Sequence, residues 1–159
     1  MPASLNAASF LDHLGRGREI FAPGCAGHSL LFESWLRADP GRSAGLRYTG
    51  VYIPTVNRFD FAALDPQARQ RTIFLSGDLR DSWLQGRVDY LPMTYSCSWR
   101  WLGETVFDTV LVQVAPPDAD GNCSLGVACD FTPAVWPGAT RILAHVNPRM
   151  PRTRGPSIP

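Results

Sequence analysis

The chain predicts an α/β fold, a mostly parallel sheet flanked by helices, and three observations predict it. Short apolar runs alternate with helix-like segments along the whole 159 residues, which is the pattern of a parallel sheet. The strands are near-continuously apolar, Thr109-Val-Leu-Val-Gln-Val-Ala115 above all, so both sheet faces should be covered. Nearly every Gly- or Pro-rich turn follows a strand, at 23–27, 54–57, 76–78, 92–95, 116–122 and 147–155. Parallel strands bring all of these to one edge, where an α/β protein holds its ligand.

The elements follow in order. Glu19–Ala22 is a short strand stopped by Pro23-Gly-Cys-Ala-Gly27. His28–Ala38 carries Leu30, Leu31, Trp35 and Leu36 at helical spacing and ends at Pro40-Gly41. Leu46–Ile53 is the second strand, closed by Pro54-Thr-Val-Asn57, and Thr72–Leu75 the third, closed by Ser76-Gly77. Asp78 is placed to cap a helix that runs through Trp83 and Leu84 to Gly86. Val88–Leu91 is a fourth strand, cut by Pro92, and Ser96–Gly103 a short helix. Thr109–Ala115 is a strand dense in β-branched residues, stopped by Pro116-Pro117. Asp118–Asn122 is a turn with Gly121 at positive φ, and Cys123–Val127 a short strand paired back on its neighbour. Asp130–Thr140 is a helix that Pro133 and Pro137 limit. Arg141–Val146 is the last strand and runs directly into a proline- and arginine-rich loop. The expected organisation is one domain over 1–159, with loose ends at about 1–8 and 156–159.

Composition excludes several classes. Hydrophobic residues make up 45% of the chain, too many for general disorder. A net charge of +1 argues against a general nucleic-acid binder. No apolar run approaches the roughly 20 residues that span a bilayer, and Met1-Pro-Ala-Ser-Leu-Asn6 lacks the pattern of a signal peptide. The expected address is cytoplasmic, with no membrane and no nucleic-acid partner. Cys25, Cys97, Cys123 and Cys129 form no CxxC pair, and only Cys25-x-x-His28 has ligand spacing. No metal site is expected, and the thiols should be reduced and mostly buried.

Four groups of residues carry candidate chemistry. Gly24-Cys-Ala-Gly27 sits between a strand and a helix, where free N–H groups can hold an anion; an ordinary tight turn fits the spacing equally well. Cys25 and His28 suggest a thiolate–imidazole pair, but no carboxylate that would orient His28 is evident. Asp118-Ala-Asp-Gly-Asn122 begins like a calcium loop and lacks the downstream glutamate. Arg149, Arg152 and Arg154 fall within six residues, stiffened by Pro148 and Pro151. They can hold a carboxylate or phosphate. The chain has three glutamates, Glu19, Glu33 and Glu104, none in a Gly-rich setting. No convincing nucleophile stands out.

Two long motifs carry a resemblance. Val112-Gln-Val-Ala-Pro-Pro-Asp-Ala-Asp-Gly-Asn-Cys-Ser-Leu-Gly126, followed by Val146-Asn-Pro-Arg-Met-Pro-Arg-Thr-Arg-Gly155, resembles the N-terminal domain of the acetyl-CoA hydrolase/transferase family. The likeness is to its 4-hydroxybutyrate CoA-transferase-like branch. Phe21–Gly27, Val51–Pro54 and Gly86–Pro92 extend it over nearly the whole chain. The resemblance implies a CoA-transferase-like N-terminal fold, one of two α/β domains around a cleft. A glutamate of the other domain attacks the acyl-CoA thioester, and the N-terminal domain supplies walls of the acyl or carboxylate pocket. By position those walls would be Pro23, Gly24, Cys25, Ala26 and Gly27; Asn57; Pro117, Asp118 and Gly121; and Asn147, Met150, Arg152 and Thr153. The sequence departs from the family pattern where His28-Ser29 replace an acidic residue and proline, in Met93–Trp99, and where Arg149 and Arg154 stand for Asn and His.

The expected function is a subunit of a split acyl-CoA transferase or thioester hydrolase, inactive alone, with no catalytic residue of its own. Its substrate is a CoA thioester, and no cofactor is bound covalently. Its partner is a separately encoded C-terminal-like subunit carrying the catalytic glutamate. A start close before the first motif and an end at a domain junction fit a natural gene product. Alternatives are a repurposed pair acting on another acyl or acyl-carrier thioester, and a non-catalytic binding module or fragment. Trp99, Trp101, Phe107 and Trp136 are candidates for an apolar docking face, and a core role fits each as well.

Overall fold

Six parallel strands lie side by side in the order β4-β3-β2-β1-β5-β7. They are β1 (Glu19–Phe21), β2 (Arg47–Gly50), β3 (Arg69–Thr72), β4 (Val88–Tyr90), β5 (Thr109–Val114) and β7 (Arg141–Val146). Residues 4–15 and 18–159 are described by the structure, a computed structural model. The longest pairing joins β5 to β7 over six residues, Thr109 opposite Arg141 through Val114 opposite Val146. The chain builds outward from β1 to β4, crosses back, and continues on the other side of β1 with β5. The strand order therefore reverses between β1 and β5, and the crevice beyond their carboxyl ends is where such a sheet binds ligands.

Both faces are covered, as the apolar strands predict. On one face α1 (Ala7–Leu14) and α2 (Leu30–Ala38) pack Phe10, Leu14, Phe32 and Leu36 against Ile20, Tyr48, Leu111 and Leu143. On the other, α4 (Tyr95–Glu104) and the single-turn α5 (Thr132–Val135) pack Leu102 and Val135 against Phe21, Val110, Val112 and Val114. Each of these side chains contributes roughly 1.5–3 kcal/mol by leaving water. The short α3 (Arg80–Leu84) closes the β4 end, above a cluster of Ala62, Leu79 and Val88.

Several expectations are corrected. The third strand is not Thr72–Leu75 but the polar Arg69–Thr72. Gln70 is fully buried because its Oε1 accepts the Phe61 N–H at 2.8 Å, and Arg71 lies over the Trp101 ring and 3.6 Å from Glu19. The apolar Ile73 and Leu75 instead pack beyond the end of the strand. Asp78 does not cap α3; it lies in the preceding turn, 3.3 Å from Arg58. The Asp130–Thr140 helix shrinks to α5 and one tighter turn at Trp136–Gly138, each started by a proline near its first position.

Described residues near both ends take regular structure. Asn6 caps α1 in a reciprocal pair with Ser9, and Phe10, Leu11 and Leu14 are buried. At the other end β8 (Ser157–Ile158) pairs antiparallel with β6 (Cys123–Ser124), and Ile158 is 7% exposed. The Cys123–Val127 strand thus takes the chain terminus as its partner, while a single backbone bond from Ala115 to Ser124 links it to β5. Of the docking candidates, Phe107 is buried core, Trp101 and Trp136 pack against that core, and Trp99 remains 47% exposed.

No helix among the described residues is long and apolar enough to cross a membrane. None of their His, Cys, Asp and Glu side chains form a metal-binding group of three or more.

Candidate functional site

All six Gly- and Pro-rich loops lie at the carboxyl edge, each after a strand of the parallel sheet. Residues 22–27, after β1, and 115–122, after β5, flank the reversal point. The first turn owes its shape to Gly24, where a Cβ would stand 1.9 Å from the Val51 carbonyl oxygen. Only glycine allows that approach. Cys25 follows at φ +46°. Asn57 holds the arrangement: its Oδ1 accepts from Cys25 N–H at 2.8 Å and from Ile53 N–H at 3.0 Å. Asn57 is buried and joins the two loops at its backbone.

Three N–H groups at this turn are spent inside the protein. The N–H groups of Cys25, Gly27 and His28 are already donated, to Asn57, to Gly24 and to the Cys25 carbonyl. Nor is Cys25 an activated thiol. Burial first, and then the negative charge of Asp130, push its pKa up, away from the thiolate that a nucleophile needs.

His28 does have an orienting carboxylate, which the sequence reading missed. Glu33, five residues on along α2, lies 2.7 Å from His28 Nε2 and accepts from Arg37 Nε at 2.9 Å. Burial alone would raise the Glu33 carboxyl, but the bonds and charges of His28 and Arg37 outweigh it and hold it below its usual value. Beside this pair lies a cavity of about 10 Å³, walled by Phe32, Leu36, Phe61 and Leu111 and too small for a substrate. Ser29 meets His145 of β7 at 2.9 Å and caps α2 through the Phe32 N–H. Burial lowers the His145 pKa. The Ser29–His145 pair had no signal in local spacing, because the two residues lie 116 positions apart, whereas Glu33 is only five residues from His28 and was within reach of the sequence.

A chain of amides ties the crevice across three elements. Gln113 of β5 donates to the Ala26 carbonyl at 3.0 Å; its Oε1 accepts from Asn147 Nδ2 at 3.0 Å; Asn147 Oδ1 accepts from Arg149 N–H at 2.9 Å. Gln113 was read only as a strand residue. Its period-2 position places its side chain on the crevice side of the strand end.

The loops 116–122 and 147–155 are clamped together. Arg152 donates to Asp118 Oδ2 at 2.9 Å, to the Pro116 carbonyl at 2.8 Å and to the Asn122 carbonyl at 3.1 Å. Asp118 also accepts the Asn122 and Asp120 N–H groups, and these bonds, with the charge of Arg152, lower its pKa. Gly121 takes φ +85° as predicted. Thr153 bonds Gly126 and Ser124, and Met150 is buried against Ala115 and Ala128. Pro117 stays exposed on the loop. Of the three clustered arginines, Arg152 is thus consumed in the fold. Arg149 and Arg154 are exposed, with no ion pair among the described residues.

The three glutamates are all placed. Glu19 opens β1 at the opposite edge, paired with Arg47; Glu104 ends α4 at that same edge; Glu33 is held by His28 and Arg37. Asp130, near Cys25, has its carboxyl raised by desolvation although part of the residue faces solvent.

The model of the acetyl-CoA hydrolase/transferase N-terminal domain matches residues 11–157. The chain belongs to this family. Among characterised relatives it is 36% identical over 107 residues to the succinyl-CoA:acetate/propanoyl-CoA:succinate CoA transferase of Fasciola hepatica, covering 65% of this chain and 22% of that one. It is 37% identical over 92 residues to the 4-hydroxybutyrate coenzyme A transferase of Clostridium kluyveri, covering 57% of this chain and 21% of that one. The matched stretch therefore spans about a fifth of the length of these relatives. The fold is shared with RipA from Yersinia pestis, at TM-score 0.78 and 22% identity, over 93% of this chain and 38% of that one.

Within this acetyl-CoA hydrolase/transferase N-terminal domain, the departures noted in the sequence occupy defined places. His28 and Ser29 have found Glu33 and His145. The rings of Tyr95 and Trp99 lie tilted against Phe131 at centroid distances of 5.6 and 6.2 Å, and Phe74 lies 6.0 Å from Tyr95. This aromatic wall rises at the carboxyl edge, where α4 leaves the end of β4, and adjoins Asp130 in sequence.

Proposed function

We propose that this chain supplies one wall of the acyl or carboxylate pocket of an acyl-CoA transferase or thioester hydrolase, and that the attacking glutamate belongs to another polypeptide. The observation that carries the reading is a family domain whose crevice holds no free glutamate: Glu33 is committed to His28 and Arg37, and Glu19 and Glu104 lie at the far edge. The substrate is a CoA thioester and no covalent cofactor is needed. Membership of a family defined here by its N-terminal domain supports a C-terminal-like domain as the other wall.

In this reading Pro23–Gly27, Pro117–Gly121 and Asn147–Thr153 shape the pocket without chemistry of their own. Asn57, Arg152 and Gln113 hold these loops in place, so that the acyl group meets a preorganised surface. Reduced cysteines suit a cytoplasmic setting. The test is thioester turnover by the purified chain, alone and mixed with a C-terminal-like subunit bearing the glutamate. Turnover should require both and fall to background when that glutamate is changed to Gln. Rapid turnover by the 159-residue chain alone would overturn the reading.

A second reading keeps the two-chain cleft and changes the substrate. The wall of Tyr95, Phe131 and Trp99, with Arg149 and Arg154 exposed and without an ion pair among the described residues, favours a larger or more anionic acyl group than acetate. Assay of the reconstituted pair against a panel of acyl-CoA and acyl-carrier thioesters separates the two: preference for acetyl-CoA rejects this second reading.

A further inference from the structure

A cleft lies at the amino edge of the sheet, away from the crevice. It has a volume of about 360 Å³ and is lined by Ala63, Pro66, Arg69, Gln85 and Arg87. That is within the usual size range of small-molecule sites, roughly 300–1,000 Å³. Arg69 is the first residue of β3, Arg87 immediately precedes β4, and Gln85 directly follows α3.

The polar side chains lining this cleft are donors. Arg69 uses one nitrogen, Nη1, on the carbonyls of Pro66 and Ala68 at 3.0 and 2.8 Å. Its Nη2 and Nε have no partner among the described residues. Arg87 uses Nη1 on the carbonyls of Ala62 and Asp65, and Nη2 on Gln85 Oε1 at 2.7 Å. Its Nε is buried with no hydrogen bond among the described residues. That bond to Gln85 Oε1 leaves the Gln85 amide nitrogen as a further donor. Neither arginine has a carboxylate within ion-pair distance among the described residues, although Arg37, Arg42, Arg47, Arg58, Arg71 and Arg152 all do. The nearest acid in sequence, Asp65, turns its Oδ1 to the Gln67 N–H at 2.8 Å. Two guanidinium groups are therefore fixed in position by carbonyls, which orient them without neutralising them.

The geometry points to a binding site for a small oxyanion, a phosphate or carboxylate group of a metabolite, held between Arg69 and Arg87 with Gln85 as a third donor. Rigid guanidinium forks suit both oxyanions. The site is distinct from the acyl pocket, because sheets of this kind do their chemistry at the carboxyl edge. The site stands whether or not the proposed acyl-thioester function does.

The test is titration of the full chain with inorganic phosphate, succinate and AMP, followed by calorimetry, with chloride holding ionic strength constant. At least one should bind saturably. Phosphate and AMP against succinate distinguish a phosphate site from a carboxylate site. Arg69→Gln and Gln85→Glu should each weaken binding by about tenfold or more, the equivalent of one charge-assisted bond, with circular dichroism unchanged. Arg87→Gln should do the same, and if it fails to fold the first two variants decide. Arg149→Ala with Arg154→Ala, at the other edge, should bind as the parent does. The proposal is overturned if no anion binds saturably, if Arg69→Gln and Gln85→Glu bind normally, or if the Arg149/Arg154 variant loses binding.

Discussion

One amide oxygen, that of Asn57, accepts from two loops at the carboxyl edge. Removing it leaves two N–H groups without a partner in a buried place. Asn57→Ala should cost about 2–3 kcal/mol of stability, read as a fall in the chemical-denaturation midpoint. A side chain that only touched ligand would cost binding and leave stability unchanged. Arg152 plays the same part for 116–122, with three acceptors on one guanidinium. At this scale the sequence marked the right residues for a different reason: Asn57 and Arg152 sit in the predicted loops, yet their polar atoms face the protein. Side-chain direction in a loop depends on which other loop lies alongside, and residue spacing does not contain that. Cys25 is the converse case. Its neighbour His28 suggested reactivity, whereas the fold turns His28 toward Glu33 and sets Asp130 close enough to raise the thiol.

Among the elements, the parallel strands and the turns after them were legible because apolar runs broken by Gly and Pro have few other physical solutions. The elements that were missed or shifted are those whose partners are remote. β3 is built from Arg69, Gln70, Arg71 and Thr72, a run no hydropathy pattern marks, and is held by Phe61, Trp101 and Glu19. β8 exists because β6 offers it an edge some thirty residues away. Ile158 is buried there, so Ile158→Ala should cost about 2–4 kcal/mol, measured by equilibrium unfolding. A free tail would give no change. α1 was within reach of the sequence: Asn6 and Ser9 form a capping pair, and Phe10 and Leu14 share a helical face.

For the molecule as a whole, acid stability follows from the partly buried His145 and Glu33 and from the desolvated carboxyl of Asp130. Burial lowers the His145 pKa, so the stability it contributes is complete above its ordinary value of about 6.5 and is lost as pH falls toward the lowered native value. Glu33, also lowered, acts in the same sense further down, below about 4.3, again lost as pH falls. Asp130 is raised and acts oppositely, its contribution being lost as pH rises through its native value. The two carboxyls oppose each other in the acid range, which leaves histidine as the clean window. Unfolding free energy should fall from pH 7.5 to pH 5.5, and His145→Gln should flatten that slope. An unchanged slope would remove His145 as its source.

By itself the sequence determined the alternation of strand and helix, the edge at which the loops gather, and the family, because these rest on local apolar pattern and on contiguous motifs. The tertiary structure alone decided which polar atoms at that edge are spent on the fold and which stay free. It also set Arg69 and Arg87 together at the opposite edge. Both outcomes turn on contacts between residues distant along the chain, and chain order carries no record of which of those will meet.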